Sequence, residues 1–396
     1  MGANMLNSLY SEDITGSKVI IRTDYNVPMN GAEIADHSRI LQSIPTIEFL
    51  LKKSNSIIVV SHLGRPGGID KTCSLRPIAE YLMNALKGVR VHFFDESIYN
   101  AKPFIDDNVK PGDICILENI RFYPEEEACD VTFSKLLASF GDIFVNDAFS
   151  VSHRKHASVY GISQHLPSYA GFSLQREVEE IDNFLAGSES PKTCIIGGAK
   201  VSTKLPLIRN LLSKVDIMVC GGAIGASFAR EKYRNNSQSY EKNQYSDEID
   251  YVLKLAKEQN VDFVYPVDFI GLRDENIVKL DAETDNLDNV FIYDIGPKSV
   301  KEIESKIFSS KTVLWNGPVG KFEDDDFAYG TKCIAEIVAE ATNRGIVRSI
   351  VGGGDTFAAI NKFMCTDKIS YASTSGGAFL EYLEGKQLPG ILAVSD

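Results

Sequence analysis

No apolar run in this 396-residue chain approaches membrane-spanning length, and no two cysteines stand in a CxxC spacing. The first absence argues against a spanning helix. The second concerns seven cysteines scattered over positions 73, 115, 129, 194, 220, 333 and 365. It leaves neither a disulfide framework nor a zinc site and fits a reducing compartment. The N-terminal MGANMLNSLYSEDITG lacks a signal-peptide core, and Leu6 stands where a myristoylation signal needs Ser or Thr. A cytoplasmic protein is expected. Positive charge is also short: 41 Lys and Arg against 54 Asp and Glu give a net charge of -13. That balance argues against nucleic acid or an anionic membrane as the main partner. It does not exclude a small anion drawn to a local basic cleft.

Three familiar motifs are missing as well. Without GxxxxGK[ST] the chain is no P-loop enzyme, and without GxGxxG a nicotinamide dehydrogenase loses its best support. No HExxH occurs, and His153 and His156 lack an evident third metal ligand.

Hydrophobic residues make up 44% and charged residues 24%, the balance of an ordinary globular protein long enough for two or three domains. Short runs rich in Val and Ile recur: KVIIRTDY, SIIVVSHL, VRVHFF, DICILENIR, DIFVNDAF, TCIIGG, DIMVCGG, DFVYPVDF, TVLWNGP and SIVGGGD. Most are apolar on both faces, as buried parallel strands are. Helical periodicity lies between them. Leu75, Ile78, Ala79, Leu82, Met83 and Leu86 share a face that Gly88 ends, and Ile249, Val252, Leu253 and Ala256 follow a Ser246 cap. The alternation predicts an α/β fold with parallel sheets.

Many of these strands run out into Gly, His, Asn, Asp or Arg, and open α/β sheets bind ligands beyond the carboxyl ends of their strands. The edges before about residue 160 carry Arg22, Arg39, His62, Arg65, Arg121, His153 and Arg154. Those after about residue 190 carry glycine clusters with Lys200, Lys204, Glu323 and Asp355. Arginine forks suit phosphate and carboxylate, so the first half suggests a small, highly anionic ligand. In GGAKVSTKLPLIRNLL a helix is expected from near Ser202, with Pro206 in its first turns, and a helix start flanked by lysines suits phosphate. In VGGGDTFAAI, Asp355 fits either an N-cap or a carboxylate for Mg²⁺. Two halves with different site chemistry suggest two domains, joined through PSYAGFSLQREVEEIDNFLAG by a helix from near Ser173.

The blocks RTDYNVP, SRI, SHLGRP, SLRP, LENIRF, NDAFSVSHRKHAS, GGAKVSTK, DIGPKS, VLWNGPVGKFE, GGGDT and STSGGAFLEYLEG stand in one order along the whole chain. As a set they resemble the phosphoglycerate kinase family. The resemblance implies two Rossmann-like domains, each a mainly parallel sheet flanked by helices, facing across a cleft that closes before transfer. Residues 1–170, joined by 384–396, would bind 3-phosphoglycerate, and 171–383 would bind nucleotide. It implies that Asp24, Asn26, Arg39, His62, Arg65, Arg121 and Arg154 hold 3-phosphoglycerate. Lys204, Glu323 and the stretch Gly353, Gly354, Asp355 and Thr356 would hold the nucleotide. Asp355 would also coordinate Mg²⁺. Arg39 and Lys200, with N–H groups near Gly354 and Gly377, would stabilise the phosphoryl group in flight. ATP or ADP is the implied co-substrate, and the implied state is a cytoplasmic monomer acting in glycolysis. Three positions depart from the family pattern: Ser375 and Ile292, where glycine is usual, and Pro206 within its helix. Two other readings share some of these features. One is another nucleotide-dependent transferase acting on a small phosphorylated acid. The other is a non-catalytic two-domain protein that clamps an anionic metabolite.

Overall fold

The structure, a computed structural model, describes residues 5–234, 244–287 and 289–395. The first four residues, part of the N-terminal reading above, lie outside them, as does Asp396 at the end of the C-terminal segment. The chain divides into two compact units, one running to Glu179 and resuming at Gln387, the other spanning Glu180–Lys386.

The first unit is built on six strands: β1 (Lys18–Arg22), β2 (Ser56–Val60), β3 (Val91–Phe94), β4 (Ile114–Leu117), β5 (Ile143–Asn146) and β6 (Ser168–Ala170). They pair in the order β3-β4-β2-β1-β5-β6, parallel throughout. Side chains alternate across this sheet. Val19, Ile21, Ile57 and Val59 enter one apolar cluster, while Ile20 and Ile58 enter another with Phe133, Phe140 and Phe144. Burial of both faces explains the unbroken apolar runs, each such side chain contributing about 1.5–3 kcal/mol. Helix α1 (Ser38–Lys52) covers one face through Ile40, Ile47 and Leu50. The chain goes from β1 to β2 on one side and later returns to β5 on the other. Such a reversal opens a crevice at the carboxyl ends of the central strands.

Helix α2 (Phe172–Ala186) contains the division between the units. The second unit then repeats the plan with β7 (Lys192–Ile196), β8 (Ile217–Cys220), β9 (Asp262–Val264), β13 (Thr312–Asn316), β14 (Arg348–Gly352) and β15 (Tyr371–Ser373). Their order is β9-β8-β7-β13-β14-β15, again parallel. Trp315, at the centre of β13, is fully buried and donates to the Gly317 carbonyl at 2.8 Å. A small antiparallel sheet is inserted, β10 (Asp268–Arg273) between β11 (Asn276–Asp281) and β12 (Phe291–Ile295).

Three local expectations are corrected. DFVYPVDF is not one strand: Pro266 separates β9 from β10, which join different sheets. Ser246 is not an N-cap. Tyr245 holds that place in helix α4 (Ser246–Glu258), and the Ser246 hydroxyl donates to buried Glu231. Helix α3 (Val201–Leu211) starts near Ser202 as expected, but Pro206, expected where a helix N–H has no partner, is its sixth residue. That lies beyond the four partnerless N–H groups of a helix start, and the Ser202 carbonyl loses its helical donor. Ser202 is exposed, so water can replace it.

Candidate active site

The first unit gathers basic side chains at the ends of adjacent strands. Arg22 closes β1 and is fully buried. Its Nε donates to Ser158 Oγ at 2.8 Å, its Nη1 donates to the Thr23 carbonyl, and its Nη2 lies 3.2 Å from His62 Nδ1. His62, two residues past β2, is 2% exposed. Burial, then the charges of Arg22, Arg121, Arg154 and Arg39, hold its imidazole well below the usual range. It is therefore neutral at physiological pH. Arg39, near the start of α1, donates from Nη1 to Asp24 Oδ2 at 2.7 Å and to the Asn26 carbonyl at 3.0 Å. Ser150 also donates to Asp24. Asn26 Oδ1 accepts the Gly64 N–H at 2.8 Å, which fixes the loop after β2.

Arg121 follows β4. Asn119 positions it, accepting its backbone N–H at 3.0 Å while donating to the carbonyls of Leu63 and Cys73 at 2.7 and 2.8 Å. Arg121 Nη1 donates to the Gly64 carbonyl at 2.8 Å, but Nε and Nη2 are buried without a hydrogen-bond partner. Nε meets the Glu127 carboxylate only at 3.6 Å, too far for a hydrogen bond. Burial, with Arg154 and Arg22 beside it, pulls the guanidinium down to about 10. Unpaired donors among like charges are costly, and an anion relieves both terms. Arg154 Nε donates to His153 Nε2 at 3.3 Å. Arg65 stands apart, exposed and with no hydrogen bond or ion pair to any described residue.

In the second unit, glycine lets strand ends touch. Gly317 has φ +92°, and a Cβ there would stand 2.2 Å from the Gly197 carbonyl oxygen. Lys204, on α3, donates from Nζ to Asn316 Oδ1, and the Asn316 amide donates to the Gly352 carbonyl at 2.6 Å. Burial pulls the Lys204 amine down to about 8, opposed by Cys194, Glu384 and Asp355. Helix α5 (Gly354–Lys362) starts from Gly353, whose φ is +99°. Thr356 accepts the Gly317 N–H at 2.7 Å and donates to the Gly352 carbonyl at 3.0 Å. Its hydroxyl proton is thus committed to the loop.

Asp355 is the second residue of α5; Gly353 holds the N-cap, which removes the capping explanation. Its carboxylate is exposed and makes no hydrogen bond or ion pair to a described residue. Gly354, Gly377 (at the start of α6, Gly377–Leu383) and Lys200 (N-cap of α3) are exposed too. Glu323 lines a shallow acidic pocket with Lys321, Asp324, Asp325 and Asp326. Lys362 of α5 braces that loop, donating to the Phe322 carbonyl and to Asp325, each at 2.8 Å.

A family model described as phosphoglycerate kinase matches residues 9–386. Phosphoglycerate kinase from Wolbachia pipientis wMel is 41% identical over 98% of each chain, and that from Dictyoglomus turgidum is 41% identical over the full length of both. The solved phosphoglycerate kinase from Coxiella burnetii superimposes with a TM-score of 0.86 at 35% identity, covering 98% of this chain and 99% of its own. This chain belongs to the phosphoglycerate kinase family. It is a phosphotransferase of glycolysis, with two α/β domains.

The family departures have local explanations. Ser375 is absent from the residues with positive φ, so its backbone accepts a Cβ, and its N–H donates to Ser373 Oγ at 3.1 Å. Ile292 packs with the apolar cluster of Ala226, Phe269 and Val290, at a bulge where Gly271 comes close to the Phe291 carbonyl. Sequence reasoning missed Glu126, Ser158 and Asn316, and it noted Arg22 without a role. Glu126 sits in the acidic run PEEEA, which reads as a solvated helix.

Proposed function

We propose that this enzyme transfers a phosphoryl group reversibly between ATP and the carboxylate of 3-phosphoglycerate, with the first unit holding the acid and the second the nucleotide. The observation that carries the first assignment is Arg121, which keeps two buried donors without a hydrogen-bond partner beside Arg22 and Arg154. Asp24, Asn26, Arg39, His62 and Arg154 would complete that cradle, and Arg65 would join from its exposed loop. Lys204, Glu323, Gly353, Gly354, Asp355 and Thr356 would hold the nucleotide, Thr356 through the loop it clasps.

The nucleophile is a carboxylate with a reference pKa of about 3.3–3.7, ionised at neutral pH, so no general base is needed. The barrier is repulsion between polyanions. Arg39, Lys200 and the N–H groups near Gly354 and Gly377 would place positive charge where it develops in transfer. Asp355 suits Mg²⁺, a metal that takes one or two protein carboxylates and fills its other positions with phosphate oxygens and water. Such a metal would draw the nucleotide's phosphate charge away from the acceptor. Seven cysteines, all free, support a reducing cytoplasm, and the reading takes a monomer as the working form. Among the described residues no helix is long and apolar enough to cross a membrane.

A coupled assay tests the reading. ADP should form from ATP only when 3-phosphoglycerate is supplied. ATP turnover indifferent to 3-phosphoglycerate, or satisfied by a different phosphorylated acid, would overturn it.

A further inference from the structure

Behind the basic cluster lies a chain of buried polar side chains. Glu126, fully buried, accepts twice from Ser158: the hydroxyl at 2.6 Å and the backbone N–H at 2.8 Å. Ser158, 1% exposed, in turn accepts Arg22 Nε at 2.8 Å. Arg22 presents Nη2 to His62 Nδ1 at 3.2 Å. A buried carboxylate and a buried guanidinium are thus joined through one hydroxyl, an arrangement that holds both ions charged where neither meets solvent. Glu126 lies below its usual pKa despite burial, through His156, Arg22 and Ser158. His156 Nδ1 approaches it to 3.6 Å, beyond hydrogen-bond reach.

The last link decides a proton. A guanidinium can only donate, so a hydrogen bond from Arg22 requires a bare lone pair on His62 Nδ1. Asp24 Oδ1 would favour a proton on that nitrogen, but it stands at 4.0 Å, outside hydrogen-bond range. Arg22 at 3.2 Å wins. The remaining proton of the neutral ring then sits on Nε2.

We propose that Glu126, Ser158 and Arg22 are positioning residues that fix His62 as a neutral Nε2–H donor for the anionic triose acid. This rests on the reading of the first unit as the phosphoglycerate site. A neutral donor at that place gives direction without adding charge. Arg22, Arg39, Arg121 and Arg154 already supply the positive field, and a fifth cation would raise the repulsion among them in the free protein. The device also explains why Arg22 is spared contact with solvent: its fork faces Ser158, Thr23 and His62.

The test is long-range ¹H–¹⁵N correlation on the full chain labelled at histidine nitrogen, with the His62 ring assigned by difference against His62→Gln. The wild type should show the Nε2–H tautomer across neutral pH, and 3-phosphoglycerate should shift the Nε2 resonance. In Ser158→Ala, which cuts the link between Glu126 and Arg22, the ring should become a mixture of tautomers. KM for 3-phosphoglycerate should rise about three- to tenfold, the size of one lost buried hydrogen bond, while KM for ATP stays unchanged. A merely structural serine would move both constants or neither. An Nδ1–H ring or an imidazolium in the wild type would overturn the proposal, even if Ser158→Ala failed to fold. An unaltered ring in a folded Ser158→Ala would overturn it too. The spectrum needs no turnover, so failure of the activity itself would register separately, in the coupled assay.

Discussion

Arg39 Nη1 donates to Asp24 Oδ2 across 2.7 Å, both side chains being partly exposed, so the arginine proposed for the phosphoryl group is held in place by a carboxylate of the proposed acid cradle. A partly solvated pair of this kind contributes up to about 1 kcal/mol. Arg39→Ala should therefore leave the melting temperature nearly unchanged. It should lower kcat by about 10²–10³, as loss of a preorganised charge donor does. Arg39→Lys should recover little of this, because an ammonium cannot reproduce the fork. Steady-state kinetics beside thermal melts would check it, and near-normal kcat in Arg39→Ala would end the assigned role.

Arg121 predicts the opposite coupling of stability and binding. Two of its nitrogens are buried without a hydrogen-bond partner, next to Arg22 and Arg154. Arg121→Met removes that burden, at the cost of one bond to the Gly64 carbonyl and of the long, half-exposed ion pair with Glu127. The unliganded variant should melt at or above the wild-type temperature. Adding 3-phosphoglycerate at about 100 times its Kd should stabilise the wild type by about 2.7 kcal/mol, and the variant far less. Equal ligand-induced shifts in the two proteins would remove Arg121 from the site.

Lys204 should impose a pH limit on nucleotide binding. Its amine is pulled down to about 8 by burial, so the free enzyme loses that charge as pH rises through 8. KM for ATP should climb above that pH in the wild type. In Lys204→Met it should be raised throughout and flat across the same range. A rise of equal steepness in the variant would assign the titration elsewhere.

Sequence legibility followed the range of the interactions. The strands were readable because burial on both faces leaves an unbroken apolar run, as in SIIVV and ICIL, and the carboxyl-edge residues followed from that. Arg121 and Lys204 were readable as ionic groups, one after a strand end and one at a helix start. Their partners were not. Asn316 meets Lys204 from 112 residues away, and Ser158 joins Glu126 across 32 and Arg22 across 136. Glu126 shares its short helix with Glu125 and Glu127, and nothing in PEEEA says which carboxylate turns inward. The antiparallel insertion was hidden for a related reason. Pro266 breaks DFVYPVDF, but its neighbours on both sides are strand-like.

Asp355 offers a direct test of the metal. Its carboxylate is exposed and uncommitted, so Asp355→Ala should not disturb the fold. Titration with magnesium nucleotide should show weaker binding than wild type, while the affinity for 3-phosphoglycerate remains. A titration curve matching wild type would leave Asp355 without a ligand role.

Asp147 predicts how stability varies with pH. It is 4% exposed, and burial pushes its carboxyl up to about 8, against hydrogen bonds from the backbone N–H groups of Ser173 and Leu174 and from Thr46. Its Oδ2 has no partner. Below about pH 4 both folded and unfolded chains are protonated there, and folding carries no penalty. As pH rises from about 4 towards 8, the unfolded carboxyl ionises while the folded one keeps its proton. Stability then falls, by at most about 1.4 kcal/mol per pH unit from this one group. Above 8 both states are ionised and the loss levels off. Asp147→Asn preserves the accepting Oδ1 and cannot ionise, so it should abolish this part of the slope. Denaturant melts should show the variant gaining on the wild type between pH 5 and 8, and parallel curves over that range would mean that Asp147 is already ionised in the folded protein.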